Sequence, residues 1–207
     1  MTRTPFILAA ILLAACSAPT PTLTSSPRIF SDDFSQDLKL WETFAEPGAT
    51  SQIIDGHLQI MLTNPAAFAF TMAAINVTDF DLTVNTALGG GGQTNSYGVI
   101  FRYIDNQNFY RFDVAGDGMW GLSRRNNDQW ISLRELEPAS AINTGAAAAN
   151  ALRIVARASE FTFYANGVEL GRLSDNTLPV GRVGLFVSTF DDPNAQVSFD
   201  DMNIVKP

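Results

Sequence analysis

The sequence predicts an all-β fold, an antiparallel sandwich or jelly roll of two sheets, and three observations carry that prediction. Turn-forming residues recur roughly every ten positions between short apolar runs. Within the runs, apolar and polar side chains alternate with the period of two that belongs to a strand, and helical periodicity is almost absent. Two of the interruptions, Asp55-Gly56 and Asn166-Gly167, are the residue pairs that a two-residue hairpin turn favours.

Taken in order, "RIFSDDF" opens the strands, and "QDLKLW" reads as a short helical or irregular piece. "SQIIDGHLQIML" is a hairpin about Asp55-Gly56, followed by the strands "AFAFTMAAI" and "DFDLTVNTAL". The glycine run 89–92 lacks the Lys-Ser/Thr of a phosphate loop and opens no helix, so it reads as a flexible loop. "TGAAAANALRI" is rich in alanine, but its Gly145 and short length favour a turn into a strand. "EFTFYANG" and "VELGRLS" pair about Asn166-Gly167, and "GRVGLFVSTF" and "AQVSFDDMNIV" end the series.

The hairpin "SYGVIFRYIDNQNFYRFDV", 96–114, carries the most information. A turn at Asn106-Gln107, or the longer Asp105 to Asn108, pairs Tyr103 with Tyr110, Phe101 with Phe112 and Val99 with Val114. That face is apolar and is assigned to the core. The opposite face pairs Arg102 with Arg111 and Ile100 with Asp113. A "GDG" turn at 116–118 extends the pairing, setting Val114 against Trp120, Phe112 against Leu122 and Arg111 against Ser123. If the next hairpin closes over Arg125 to Asp128, Ser123 meets Trp130. The polar face then reads Arg102, Arg111, Ser123, Trp130, beside a row of Ile100, Asp113, Gly121, Ser132. A slip of one residue would turn Trp130 to the other face.

The chain has 207 residues and a net charge of −8. "MTRTPFILAAILLAAC" has a basic start and an apolar run too short to span a bilayer, the pattern of a secretory signal. Leu13-Ala14-Ala15-Cys16 resembles a bacterial lipobox, which implies cleavage after residue 15 and lipidation of Cys16, the only cysteine. Residues 16–28 are rich in Pro, Thr and Ser and suit an extended tether. Residues 29–207 are long enough for one well-buried core, held without a disulfide. The acidic balance argues against nucleic acid as a partner and against electrostatic attachment to an anionic membrane. The expected location is extracytoplasmic, with membrane attachment through the lipid anchor only.

The order "SDDF…W", "IIDGHLQI", "YGVIFRYIDNQNFYRFDV", Trp130, "NALRIVARASEFTFYANGVEL", "GRVGLFV" and "VSFDDMNI" resembles the laminin-G-like, concanavalin A-like jelly rolls of bacterial surface proteins. That group includes the 3-keto-disaccharide hydrolase-like domains. The resemblance covers residues 30–205 and implies two curved sheets, one with a face that holds carbohydrate in related lectins and glucanases. Fold alone does not assign an activity.

On that face, Arg102, Arg111, Asp113, Ser123 and Trp130 form the candidate ligand site. Guanidinium, hydroxyl and carboxylate can fix sugar hydroxyls while an indole covers the ring. The same charges equally form an inter-strand ion cluster that only decorates the sheet. No catalytic group is assigned. Glu135 and Glu137 share a strand face, but Pro138 follows at once, as at a solvated strand end. His57 has no second histidine or nucleophile motif to join. Asp32-Asp33 and Asp200-Asp201 are expected on neighbouring strands. They would suit a structural Ca²⁺, as in several concanavalin-type families, or would deter edge pairing; no other cofactor is expected. The sequence thus supports non-catalytic, lectin-like glycan recognition. The alternatives are a glycoside hydrolase-like enzyme and an adhesive domain that binds another envelope protein.

Overall fold

The computed structural model describes residues 26–207, so the expected signal sequence, the lipobox-like stretch with Cys16 and most of the expected tether lie outside the described residues. Fifteen strands follow: β1 (Arg28–Asp32), β2 (Phe44–Glu46), β3 (Ala49–Ile54), β4 (His57–Leu62), β5 (Phe68–Val77), β6 (Phe80–Gly90), β7 (Ser96–Asp105) and β8 (Asn108–Ala115). The second half holds β9 (Met119–Asn126), β10 (Gln129–Pro138), β11 (Ala149–Arg157), β12 (Glu160–Ala165), β13 (Val168–Ser174), β14 (Gly181–Ser188) and β15 (Gln196–Val205). Among the described residues there is no helix, and "QDLKLW" is irregular, tied to β5 by a single bridge from Trp41 to Ala73.

The strands form two antiparallel sheets packed face to face, the jelly-roll sandwich that the alternation predicts. One sheet runs β13-β12-β11-β6-β15-β4-β3-β2, with β1 paired to the far half of β15. The other has six strands, in the order β10-β9-β8-β7-β14-β5. Three runs of consecutive strands, β2–β4, β7–β10 and β11–β13, pair through tight turns. Asp55-Gly56 and Asn166-Gly167 both have positive φ, as the favoured two-residue hairpin requires.

Between the sheets lies one core, with Trp120, Tyr97, Tyr110, Phe101, Phe112 and Phe163 among its fully buried side chains. The inward parity of the 96–114 hairpin therefore holds for Val99, Phe101, Tyr110, Phe112 and Val114. The register differs. The turn is at Asn106-Gln107, but Phe101 pairs with Tyr110 and Val99 with Phe112, because Arg102, Tyr103 and Ile104 stand opposite Phe109 alone. This bulge bends at Arg102, whose φ is +53°. It exchanges the two residues that parity had assigned: Arg102 turns into the sandwich and Tyr103 out of it.

Gly89 and Gly90 extend β6, so the glycine run is in part strand rather than wholly loop. A Cβ on Gly91, at φ +98°, would lie 2.8 Å from Cα of Ala195, so the close pass of the 191–195 segment requires glycine there.

Candidate functional site

The outward face of the six-stranded sheet carries a second apolar cluster. Met72, Ile100, Phe109 and Phe186 are fully buried there, with Phe68, Phe70 and Tyr103 packed on them. They come from β5, β14, β7 and β8; Phe68, Phe70 and Met72 alternate along β5, and the bulge at Arg102 brings Tyr103 to the same face as Ile100. The stack continues edge-on to Trp130 of β10, whose indole meets Phe109 at 5.5 Å and Phe68 at 6.1 Å. Trp130 is 47% exposed and ends this aromatic surface at the sheet edge.

Arg111 sits at the centre. Its guanidinium carbon lies 4.3 Å from the ring centre of Phe186, 4.7 Å from Phe68 and 5.1 Å from Trp130. Contacts of this kind hold a cation against the negative ring faces. Its Nε is buried without a hydrogen-bond partner, and Nη2 donates to Asp113 Oδ1 and, at 3.4 Å, to Ser96 Oγ. Ser96 Oγ also donates to Asp113 Oδ1, at 3.2 Å. Oδ2 of Asp113 takes no hydrogen bond from the described protein. Gly98 lies opposite Asp113 on β7 and Gly121 opposite it on β9, and the aspartate is 8% exposed at the floor of the face.

Two depressions meet at Arg111 and Phe190. The aromatic one, about 370 Å³, is walled by Phe68, Trp130 and Arg125. The polar one, about 170 Å³, is lined by Asp113, Gly121, Ser123, Ser132 and Glu135. Phe190 is 44% exposed, and its N–H donates to the side chain of buried Asn95.

The structure therefore brings Arg111, Asp113, Ser123 and Trp130 together on one face, as the sequence suggests. Arg111 pairs with Ser123, but the β9–β10 turn is at Asn127-Asp128, both with positive φ. Ser123 consequently meets Ser132, and Trp130 meets Arg125. The difference is two residues, so the face is preserved and the row changes.

Arg102 is not on this face. Its side chain is 1% exposed and reaches through the edge of the sandwich, donating from Nη2 to the carbonyl of Ala158 at 3.1 Å. Its guanidinium lies over Phe161, and its counter-ion Asp79 is 3.9 Å away. Burial holds its pKa below the ordinary arginine value, opposed by the charge of Asp79. Tyr103 takes its place outside, with its hydroxyl on Asn106 at 2.7 Å. Burial, then the nearby Glu42 charge, pushes that hydroxyl above the usual tyrosine range. Sequence reasoning missed Phe68, Phe70, Phe186 and Phe190. Phe109 was within reach, since it shares the parity of Arg111 and Asp113.

The remaining candidates behave structurally. Asp32 and Met202 pair, so the two aspartate segments do neighbour each other. Asp32 Oδ1, however, accepts from Phe34 N–H at 2.9 Å, and Oδ2 from Trp41 Nε1–H at 3.0 Å. Among the described residues, no three His, Cys, Asp or Glu side chains gather where a metal could bind. Glu137 pairs with Arg134 at 2.9 Å, and His57 lies 3.8 Å from Asp200.

No protein-family model and no curated protein sequence matches the chain. Solved structures do. The carbohydrate-binding module CBM66 from Bacillus subtilis superposes with a TM-score of 0.64 at 16% identity, over 81% of this chain and 96% of that one. A Bacillus subtilis protein of unknown function with a galectin-like fold gives 0.61 at 10% identity, over 88% and 97%. The GH43 protein BlXynB from Bacillus licheniformis gives 0.62 at 13% identity, over 86% of this chain and 39% of that one. At these identities the likeness establishes the concanavalin A-like sandwich.

Proposed function

We propose that the protein is a glycan-binding, lectin-like protein of the bacterial cell surface, anchored through a lipid on Cys16. It holds its ligand on the outward face of the six-stranded sheet without cleaving it. The observation that carries this reading is the adjacency, across Arg111, of the half-exposed Trp130 indole and the polar row Asp113, Ser123, Ser132. A pyranose presents an apolar C–H face and a rim of hydroxyls, and this surface offers one partner for each. Asp113 Oδ2 is an acceptor held in place by its ion pair, so it can take a sugar hydroxyl at little ordering cost. Likeness to a carbohydrate-binding module supports the same reading. The lipobox-like Leu13-Ala14-Ala15-Cys16 supports the anchor.

Hydrolysis has one observation in its favour, since Asp113 and Glu135 border the same depression. Asp113 Oδ1 is already occupied by Arg111 and Ser96, which favours an orienting role over that of acid or nucleophile.

The test is retention of the purified protein on immobilised glycans. Trp130→Ala and Asp113→Ala should each abolish it, and retention that survives both would sink the site assignment. Release of reducing sugar from a retained glycan would replace the non-catalytic reading. Incorporation of labelled fatty acid in cells should be lost in Cys16→Ala.

A further inference from the structure

The outward face has more arginines than an uncharged ligand needs, yet each already has a carboxylate partner. Arg111 is paired with Asp113 and roofed by three aromatic rings. Arg125 is paired with Asp128 and lies against Trp130; Arg134, paired with Glu137, lies over the core Trp120 on the inward side of β10. Each guanidinium thus brings its own counter-ion. Glu135, by contrast, borders the polar depression and has no ion-pair partner among the described residues. A carboxylate or sulfate entering there would meet Glu135 and Asp113, with no uncompensated cation in return.

Geometry adds a second constraint. The aromatic and polar depressions are separate, and they adjoin only along Arg111 and Phe190. One sugar ring can lie against Trp130 and Phe190, or place its hydroxyls over Asp113, Ser123 and Ser132, but the two depressions together call for a second unit. Resting on the glycan-binding reading above, we infer that the ligand is a neutral oligosaccharide of two or more units laid across Arg111. One unit packs in the aromatic depression and the next hydrogen-bonds in the polar one.

Titration calorimetry of the purified protein would use neutral glucan, xylan and fructan oligosaccharides of one to about six units, with oligouronates of matched length. Affinity for a neutral series should rise at least tenfold, on the order of 1.4 kcal/mol, from one unit to two. Oligouronates should bind at least tenfold more weakly. Neutral binding should hold steady from about 0.01 to 1 M salt, a range in which exposed charge pairs are progressively screened. Glu135→Gln should narrow the gap between neutral oligosaccharides and oligouronates. Equal affinity for a monosaccharide and its oligomers would overturn the two-unit assignment. Oligouronates bound as tightly as neutral sugars, or a gap unchanged in Glu135→Gln, would overturn the charge argument while leaving glycan binding intact. Failure to bind any glycan, by calorimetry or on the immobilised panel, would instead remove the underlying reading.

Discussion

Replacing Arg102 separates an inward clamp from an outward ligand contact. Arg102→Ala removes the two stem methylenes beyond Cβ, about 0.8 kcal/mol each, and a charge-assisted bond to the Ala158 carbonyl worth about 1.5–3 kcal/mol. Part of that is returned, because a guanidinium with an unpartnered Nε and an ion partner at 3.9 Å no longer has to be buried. A net loss of about 3 kcal/mol follows, or roughly 6–12 °C in Tm for a domain of this size. Arg102→Met keeps the stem and sheds the charge, so its Tm should fall by no more than about 4 °C. Thermal unfolding followed by circular dichroism reads both variants, and the glycan assay is run on Arg102→Met at a temperature where it is folded. Retention should survive. The reasoning is refuted if Arg102→Ala melts like the parent and yet loses the glycan, the behaviour of an exposed ligand contact.

Three further outcomes follow from described contacts. Burial raises the pKa of Asp175, but hydrogen bonds from Thr177 and Tyr110 and the charge of Arg124 outweigh this and hold it below 3.8. Its folded pKa is depressed, so its contribution is present above about pH 4 and lost as pH falls through the folded value. Asp175→Asn should flatten that part of a denaturation-versus-pH profile. Asp32→Ala orphans the buried N–H groups of Phe34 and Trp41, and urea unfolding should show a loss of about 2–4 kcal/mol. Gly98→Ala sets a Cβ 2.1 Å from the Phe112 carbonyl oxygen, and should cost about 3 kcal/mol or more by the same measurement.

The sequence made the hairpins and the inward parity legible because both are local. A two-residue turn needs φ > 0, and Asp55-Gly56 and Asn166-Gly167 provide it. Trp120, Phe112 and Tyr110 declared themselves by alternation alone. The bulge at Arg102 had no local signal. Its causes lie in the Ala158 carbonyl on the other sheet and in Gly181 of β14, whose missing Cβ would fall 2.4 Å from the Arg102 carbonyl carbon. The β9–β10 turn was misplaced because Asn127 and Asp128 tolerate positive φ less conspicuously than glycine does. The outward aromatic cluster was hidden for another reason. Phe68, Phe109 and Phe186 come from three separated strands, and "AFAF" shows alternation without showing which phase faces the core.

The strand order also bears on when this chain can fold. β14 is the only link between β5 and the β7–β10 run, and β15 joins β6 and its neighbours to β4 and its neighbours. Without residues 181–205, the six-stranded sheet falls into two unconnected pieces and the other sheet into three, since β1 pairs with β15 alone. A chain emerging from the ribosome therefore gains little from early collapse, and its cooperative structure waits on its last two strands. Such a topology delays closure of the sandwich until its C-terminal strands are in place.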